Sequence, residues 1–349
     1  MTRVTLVSYD DEPPLGGQGV EVRGMRSALT ARGHAVTTVA GHGVHGYAFR
    51  RVTGRAPLDF SIHVNRHPHV IRDTRPEVVH ALGGPGGVLL LRQLDVPLVY
   101  TANHTYRMAH PRGSLRGLLS PLEARAYRRA AAVLAISSTT ADAVRGLGIP
   151  AHRVEVLSPG VDVPPALPQG RDGGRLLFVG RWEEEKGVLE AVAVMRAVMA
   201  SHAGASAVVL GAGRLQERVR ALAAGASGID VAGHVDETRL AAEYARAAVV
   251  LMPSRYEGLG LVALEAQAHG AVVAGYDVEG LRDAVAHPQL LVRRGERARL
   301  TDLCLRLLDD QPWREALAAQ ARTWVSARHS WDAVGRRLGE VYAAVLQAS

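Results

Sequence analysis

Short, uninterrupted apolar runs alternate along this chain with longer stretches whose apolar residues recur at helical spacing. In the first half the runs are Val4–Tyr9, Ala35–Ala40, Val78–Leu82, Leu98–Ala102, Ala131–Ile136 and Val154–Leu157. In the second half they are Leu176–Val179, Ala207–Leu210, Ile229–Ala232, Ala247–Met252 and Ala271–Ala274. Runs this short and continuous suit strands buried on both faces, as in a parallel sheet. Helices are expected over Val20–Arg32, Ser120–Ala130, Leu189–Ala200, Leu215–Ala224 and Leu261–His269, with a closing helix over Trp331–Leu346. Strand–helix alternation of this kind predicts α/β architecture.

One stretch breaks the rhythm. Ser158 to Gly174 is dense in Pro and Gly and reads as a linker. The expected fold is therefore two doubly wound, Rossmann-like domains facing a cleft. The first spans 1–163 and the second 164–330, while 331–349 forms a helix packing back toward the first domain. Ligands of open α/β sheets bind beyond the carboxyl ends of the strands, which makes that cleft the expected site.

Composition narrows the class. With 349 residues, 47% hydrophobic and 21% charged, the chain can fill two cores and is too apolar to be disordered. A single cysteine, Cys304, excludes an internal disulfide and a Cys-based zinc cluster, and suits a reducing compartment. No apolar run reaches membrane-span length, and Met1–Arg3 is too short a lead for a signal peptide, so a cytoplasmic address is expected.

The net charge of +7 sits entirely in residues 1–165, which hold 19 Arg against 12 acids; residues 166–349 balance 22 against 22. A nucleic-acid partner is not expected, because aromatics are only 5% and the arginines are scattered rather than striped. Arg107, Arg112, Arg116, Arg125, Arg128 and Arg129, interleaved with Leu115, Leu118, Leu119 and Leu122, offer a peripheral contact to an acidic membrane, a surround for an anionic acceptor, or a solvated helix face. Lys186 is the only lysine in the chain. A lysine kept where arginine is otherwise preferred suits a compact charge on a phosphate, or is a chance survivor.

Three segments carry candidate chemistry. Gly16, Gly17 and Gly19 lie between the first strand and first helix, where backbone amides approach a phosphate or simply turn the chain. Arg181 and Lys186 follow the first strand of the second domain, placing two cations where a diphosphate would sit, or pairing with Glu183–Glu185. After the run Ala247–Met252 comes Glu257, then Gly258, Leu259, Gly260 and Leu261 opening a helix, with Glu265 one turn inside it. A helix N-terminus attracts an anion or sugar oxygens, and two carboxylates suit sugar hydroxyls and a ribose diol. Taken singly, each also fits a cap or a paired core glutamate.

Together the E-x7-E spacing of Glu257 and Glu265, Gly-Arg-x4-Lys-Gly at 180–187 and Gly-Gly-x-Gly at 16–19 resemble the retaining glycosyltransferases of family 4, over nearly the whole chain. The resemblance implies the two-domain GT-B fold and a nucleotide-diphosphate sugar, foremost a UDP-sugar, as donor substrate, with no cofactor and no metal. It implies that Gly16, Gly17 and Gly19 border the diphosphate while Arg181 and Lys186 neutralise it. It places the donor sugar on Glu257 and the amides of Gly258–Leu261, and the ribose on Glu265. Gly211 and Gly213 match the family's turn near the nucleotide, and His234 and Val235 match its contact with the base. His104, one of 15 histidines, falls where the family keeps a histidine near the transferred sugar. His80 lines the acceptor side or is a core or cap residue.

Two departures stand out: Gly258-Leu259-Gly260 replaces the family's usual aromatic, and its glycine-and-acid cluster is blurred to Tyr276–Arg282.

The expected activity is metal-independent transfer of a sugar, with retention, to a hydroxyl of an unidentified acceptor. That acceptor is a small antibiotic or sugar precursor, or a lipid or glycan. No D-x-D pair for a divalent ion occurs in the sequence. Front-side attack, with the leaving phosphate taking the acceptor's proton, fits a first domain whose motifs offer no carboxylate nucleophile. A nucleotide-sugar 2-epimerase of the same fold is the alternative. The chain is expected to be a monomer or dimer.

Overall fold

The computed structural model describes residues 1–109, 119–167 and 172–348. Arg112, Leu115, Arg116 and Leu118, and part of the Pro/Gly-rich stretch, lie outside the described residues. The chain forms two compact units: Met1–Gly160 with Trp331–Ser349, and Val161–Ser330.

In the N-terminal unit the order is β1 (Arg3–Ser8), α1 (Gly17–Ala31), β2 (Ala35–Ala40), α2 (Ala56–Arg66), α3 (His69–Arg72) and β3 (Val78–Gly83). It continues with β4 (Leu98–Ala102), α4 (Tyr106–Ala109), α5 (Ser120–Arg129), β5 (Ala132–Ala135), α6 (Ser138–Arg145) and β6 (Val154–Val156). In the C-terminal unit β7 (Arg175–Val179), α7 (Val188–Ser201), β8 (Ser206–Leu210), α8 (Gln216–Ala223), β9 (Ile229–Gly233) and α9 (Glu237–Arg246) come first. Next are β10 (Val249–Met252), α10 (Leu261–Ala268), β11 (Val272–Asp277), α11 (Leu281–Ala284), β12 (Leu291–Arg293), α12 (Arg297–Asp309) and α13 (Gln311–His329). The last helix, α14 (Trp331–Gln347), belongs to the N-terminal unit.

Each unit holds one six-stranded sheet, ordered β2-β1-β3-β4-β5-β6 and β12-β11-β10-β7-β8-β9. The strands run parallel throughout, as the continuous apolar runs predicted. The one strand without such a run, β12, is a short edge that is half-buried or exposed. In each sheet the order reverses once, between β1 and β3 and between β10 and β7. These are the topological switch points, and the loops leaving those strands flank them.

The N-terminal sheet is covered on both faces. Val4, Leu6, Val78 and Val99 pack with Val22, Met25 and Leu29 of α1 and Val334, Leu338 and Tyr342 of α14. Val7, Val79, Ala81 and Tyr100 pack on the other face with Phe60, Val64 and Tyr127. Strand alternation explains the split, since neighbouring side chains point to opposite faces. His80 settles into the first layer: it is 0% exposed, with Nδ1 2.7 Å from Tyr342 Oη and Nε2 2.8 Å from Thr101 Oγ1. It is thus a core histidine, and burial pushes its pKa down to about 3. Among the described residues, no helix is long and apolar enough to cross a membrane.

Helices α1 and α14 approach closely because glycines leave room. A Cβ on Gly24 would run into the Trp331 indole, and one on Gly335 would lie 2.9 Å from Ala28 Cβ. Gly24→Ala should gain about 1 kcal/mol in helix propensity and lose more to overpacking, typically about 1–3 kcal/mol. A lower melting temperature is therefore expected, and an unchanged or raised one would show that α14 yields freely.

Candidate functional site

The C-terminal unit brings Arg181, Lys186 and Glu257–Leu261 to the two loops at its switch point. Loop 180–187 leaves β7 and loop 253–260 leaves the neighbouring β10. The first loop is a tight 3-10 turn over Glu184–Lys186 ended by Gly187 at φ +69°, where a Cβ would collide with the Pro253 backbone. The Arg255 amide donates to the Glu185 carbonyl at 2.8 Å, tying the two loops together.

Their side chains complete the tie. Lys186 Nζ donates to Glu257 Oε2 at 2.7 Å, and Ser254 Oγ donates to Glu257 Oε1 at 2.8 Å. Glu257 is only 5% exposed, so its charge is sustained by these two donors rather than by water. Directly after it Gly260, at φ +93°, caps α10. The first amides of that helix have no intrahelical acceptor. Arg181 stands exposed beside this arrangement on the β7 loop. Leu259 is buried, with Gly258 and Leu261 half-buried around it.

Glu265, one turn into α10, does have a partner of the kind a core carboxylate needs: Tyr244 Oη donates to its Oε2 at 2.7 Å. Burial raises the Glu265 pKa and the Tyr244 hydrogen bond opposes that rise. The Tyr244 ring lies 5.5 Å from the His269 ring, whose Nδ1 is 2.8 Å from the Glu265 carbonyl oxygen.

Gly211 and Gly213 sit on the turn after β8, and their small size serves packing. A Cβ on Gly211 would strike the Gly180 carbonyl, and one on Gly213 would lie 2.5 Å from the Trp182 carbonyl oxygen. The turns after β7 and β8 thus nest, with Trp182 buried beneath and its Nε1 3.3 Å from the Leu210 carbonyl oxygen. His234 is exposed and Val235 half-buried on the turn after β9. The segment Tyr276–Arg282, blurred in sequence, still backs the site. Gly280 comes so close to the carbonyls of Glu257 and Gly258 that a Cβ would clash, and Arg282 grips Asp277 through two donors.

In the N-terminal unit the glycine loop wraps an internal carboxylate. The amides of Leu15, Gly16 and Gly19 donate to Asp10 at 2.9–3.1 Å, and a Cβ on Gly19 would lie 2.7 Å from Asp10 Oδ2. Two of the three glycines therefore direct their amides to Asp10, a residue the motif reading passed over. Gly17 starts α1 with open space where a Cβ would be. His104 is half-buried after β4, with its carbonyl packed on Gly84 of the β3 loop. Beside it, Asn103 Nδ2 donates to Glu21 Oε2 at 2.9 Å, and Asn103 Oδ1 is buried without a hydrogen bond. Burial pushes the Glu21 carboxyl up to about 7 against that hydrogen bond.

Residues 15–164 match the family model described as Glycosyltransferase Family 4, and residues 173–310 match Glycosyl transferases group 1. A 2-deoxystreptamine N-acetyl-D-glucosaminyltransferase of Streptomyces fradiae is 33% identical over 80% of this chain and 73% of its own length. The chain belongs to glycosyltransferase family 4. A glycogen synthase of Mycobacterium tuberculosis is 28% identical across 98% of this transferase and 94% of the relative. Among solved structures, sucrose-phosphate synthase from Thermosynechococcus elongatus superposes with a TM-score of 0.75 at 21% identity, covering 100% of both chains. Anabaena HepE, solved with UDP-glucose, gives 0.72 at 16% identity, covering 99% of this chain and all of its own. The transferase therefore has the GT-B fold, and these relatives are named as enzymes of glycosyl transfer, which gives the epimerase alternative no support.

Two outcomes are expected from the buried carboxylates. In a double-mutant cycle on melting, Lys186→Met and Glu257→Gln should couple by about 1–2 kcal/mol, because Lys186 is partly exposed and the pair is only partly desolvated. Additive losses would mean that the pair is incidental. Separately, Glu21 has a folded pKa above its unfolded value, so protonation favours the fold. That contribution is present below about 4.5 and lost as pH rises through about 7. Glu21→Gln should therefore flatten the pH dependence of stability across pH 5–8, measured by denaturant titration; an unaltered profile would remove Glu21 as its source.

Proposed function

We propose that this transferase moves a sugar from a UDP-sugar to an acceptor hydroxyl with retention of configuration and without a metal ion. The observation that carries the proposal is the Lys186–Glu257 pair joining the β7 and β10 loops beside the N-terminus of α10. In this reading Arg181 and Lys186 neutralise the diphosphate. Their positive charge and the α10 amides stabilise the negative charge that develops on the leaving phosphate. Lys186 and Ser254 each engage one Glu257 oxygen, which leaves lone pairs on both oxygens aimed by fixed donors at sugar hydroxyls. Glu265, steadied by Tyr244, takes the ribose diol.

Attack comes from the face the diphosphate leaves. The acceptor oxygen bonds to the anomeric carbon, the carbon–phosphate oxygen bond breaks, and the departing phosphate oxygen accepts the hydroxyl proton. His104 borders the transferred sugar in this scheme. A cytoplasmic setting and, through exposed Leu122, Arg125, Arg128 and Arg129 of α5, a peripheral contact with acidic membrane complete it.

A panel of UDP-, GDP- and ADP-sugars tests the donor. A UDP-sugar at about a hundredfold its Kd should stabilise the chain by about 2.7 kcal/mol, read as a raised Tm. Lys186→Ala should lower kcat/KM by about 10²–10³ with activity insensitive to chelator. Product of inverted configuration by NMR, or full activity in Lys186→Ala, would overturn the scheme.

A further inference from the structure

A cavity of about 400 Å3 opens in the N-terminal unit. Its wall is formed by Pro57 and Leu58 at the start of α2, Pro85 in the loop after β3, Tyr106 at the start of α4, and Leu119 just before α5, with Arg55 beside them. Among the described lining residues Arg55 carries the only charge and Tyr106 the only side-chain hydroxyl.

Most of the polar groups behind this wall are already engaged. The Tyr106 amide donates to Glu123 Oε2 at 3.0 Å, and Tyr127 Oη donates to Glu123 Oε1 at 3.3 Å. Tyr100 Oη accepts from the Leu90 amide at 2.6 Å and donates to the Val88 carbonyl at 3.2 Å. Asp59, in the first turn of α2, accepts from the Thr53 amide at 2.7 Å through Oδ1, while its Oδ2 is buried without a hydrogen bond. Arg55 is exposed, and no ion pair to its guanidinium is seen among the described residues.

These features select a ligand. Against the described lining residues, a bare sugar or polyol would bury hydroxyls on proline and leucine with few partners, which is unfavourable. An apolar ring system would match the wall, and a cavity of about 150 Å3 already accommodates benzene, so this one admits two fused rings. The guanidinium, a planar fork of donors, suits a carboxylate or phosphate on that ring system. We infer that the cavity binds a compact, apolar, ring-bearing anion, and that this is the class of acceptor the transferase glycosylates. The second part rests on the transferase reading above; the first does not.

The test is calorimetric titration of the full chain with 2-naphthoate, uncharged 2-naphthol, octanoate and inositol 1-phosphate, alongside the UDP-sugar that most raises Tm. Naphthoate should bind most tightly. Arg55→Gln should weaken naphthoate by about tenfold, to the level of naphthol, and leave naphthol unchanged. Leu58→Trp, which fills the cavity, should abolish both. Should Leu58→Trp fail to fold, Arg55→Gln still decides, since its side chain is exposed.

Naphthoate binding indifferent to both substitutions, or tighter binding of octanoate or inositol 1-phosphate, would overturn the cavity's assignment even if the UDP-sugar binds normally. For the acceptor class, 6-hydroxy-2-naphthoate should release UDP from the donor above the level seen with 2-naphthoate, which lacks the hydroxyl. Equal release with both would overturn the acceptor assignment while leaving the binding site. Failure of every nucleotide sugar to bind, with naphthoate binding intact, would instead remove the transferase reading on which that assignment rests.

Discussion

A carboxylate almost removed from water has to be compensated locally, and Glu257 sets that condition for the C-terminal unit. Its two oxygens are held by Lys186 Nζ and Ser254 Oγ. One donor comes from the loop after β7 and the other from the loop after β10, so the pairing fixes the distance between the two loops. Close packing reinforces it, because Gly187 and Gly280 admit backbone carbonyls where any side chain would collide. The strand order reverses between the same two strands, which leaves a crevice there for a ligand. Topology supplies the space, and the buried charge gives the space its polarity.

The sequence pattern announces most of the strands because parallel strands are apolar on both faces and need no alternation to be seen. It misses β12, whose Leu291–Arg293 is too short and too exposed to form a run. Helix α2, which builds much of the cavity wall, also escapes the periodicity reading: Pro57, Asp59, Ser61 and two histidines, His63 and His67, crowd its length and its end. Lys186, Glu257 and Glu265 are legible because each lies at a fixed offset from a strand or helix end. Their partners are not. Ser254 is one small hydroxyl beside a proline, and Tyr244 reaches Glu265 from a helix 21 residues away. No local spacing encodes a contact made only when two elements pack.

The glycine loop shows the same limit from the other side. Its letters suggest amides presented to an anion, and an anion is indeed there, but it is Asp10 of the same chain. The loop's shape is thereby fixed from within. Asp10 is five and six residues before the amides of Leu15 and Gly16, a separation no motif weights. A phosphate-binding reading of this loop rests on Gly17 and the α1 dipole rather than on all three glycines. Glu21 and Glu123 extend the pattern, since both are carboxyls buried in the N-terminal unit and raised to about 7.

The single lysine now has a physical reason to be a lysine. Ser254 donates to Glu257 Oε1 and Lys186 Nζ to Oε2, so the ammonium meets one carboxylate oxygen and shares the group with a hydroxyl. An arginine reaches its full strength when its planar fork finds two parallel acceptors. Here its second arm would have to share Oε1 with the Ser254 hydroxyl. An ammonium has no such plane. It can donate to Glu257 with one N–H and keep the other two for whatever anion approaches. In a chain that uses arginine at every other basic position, a point charge survives where a shared, undirected donor is what the geometry admits.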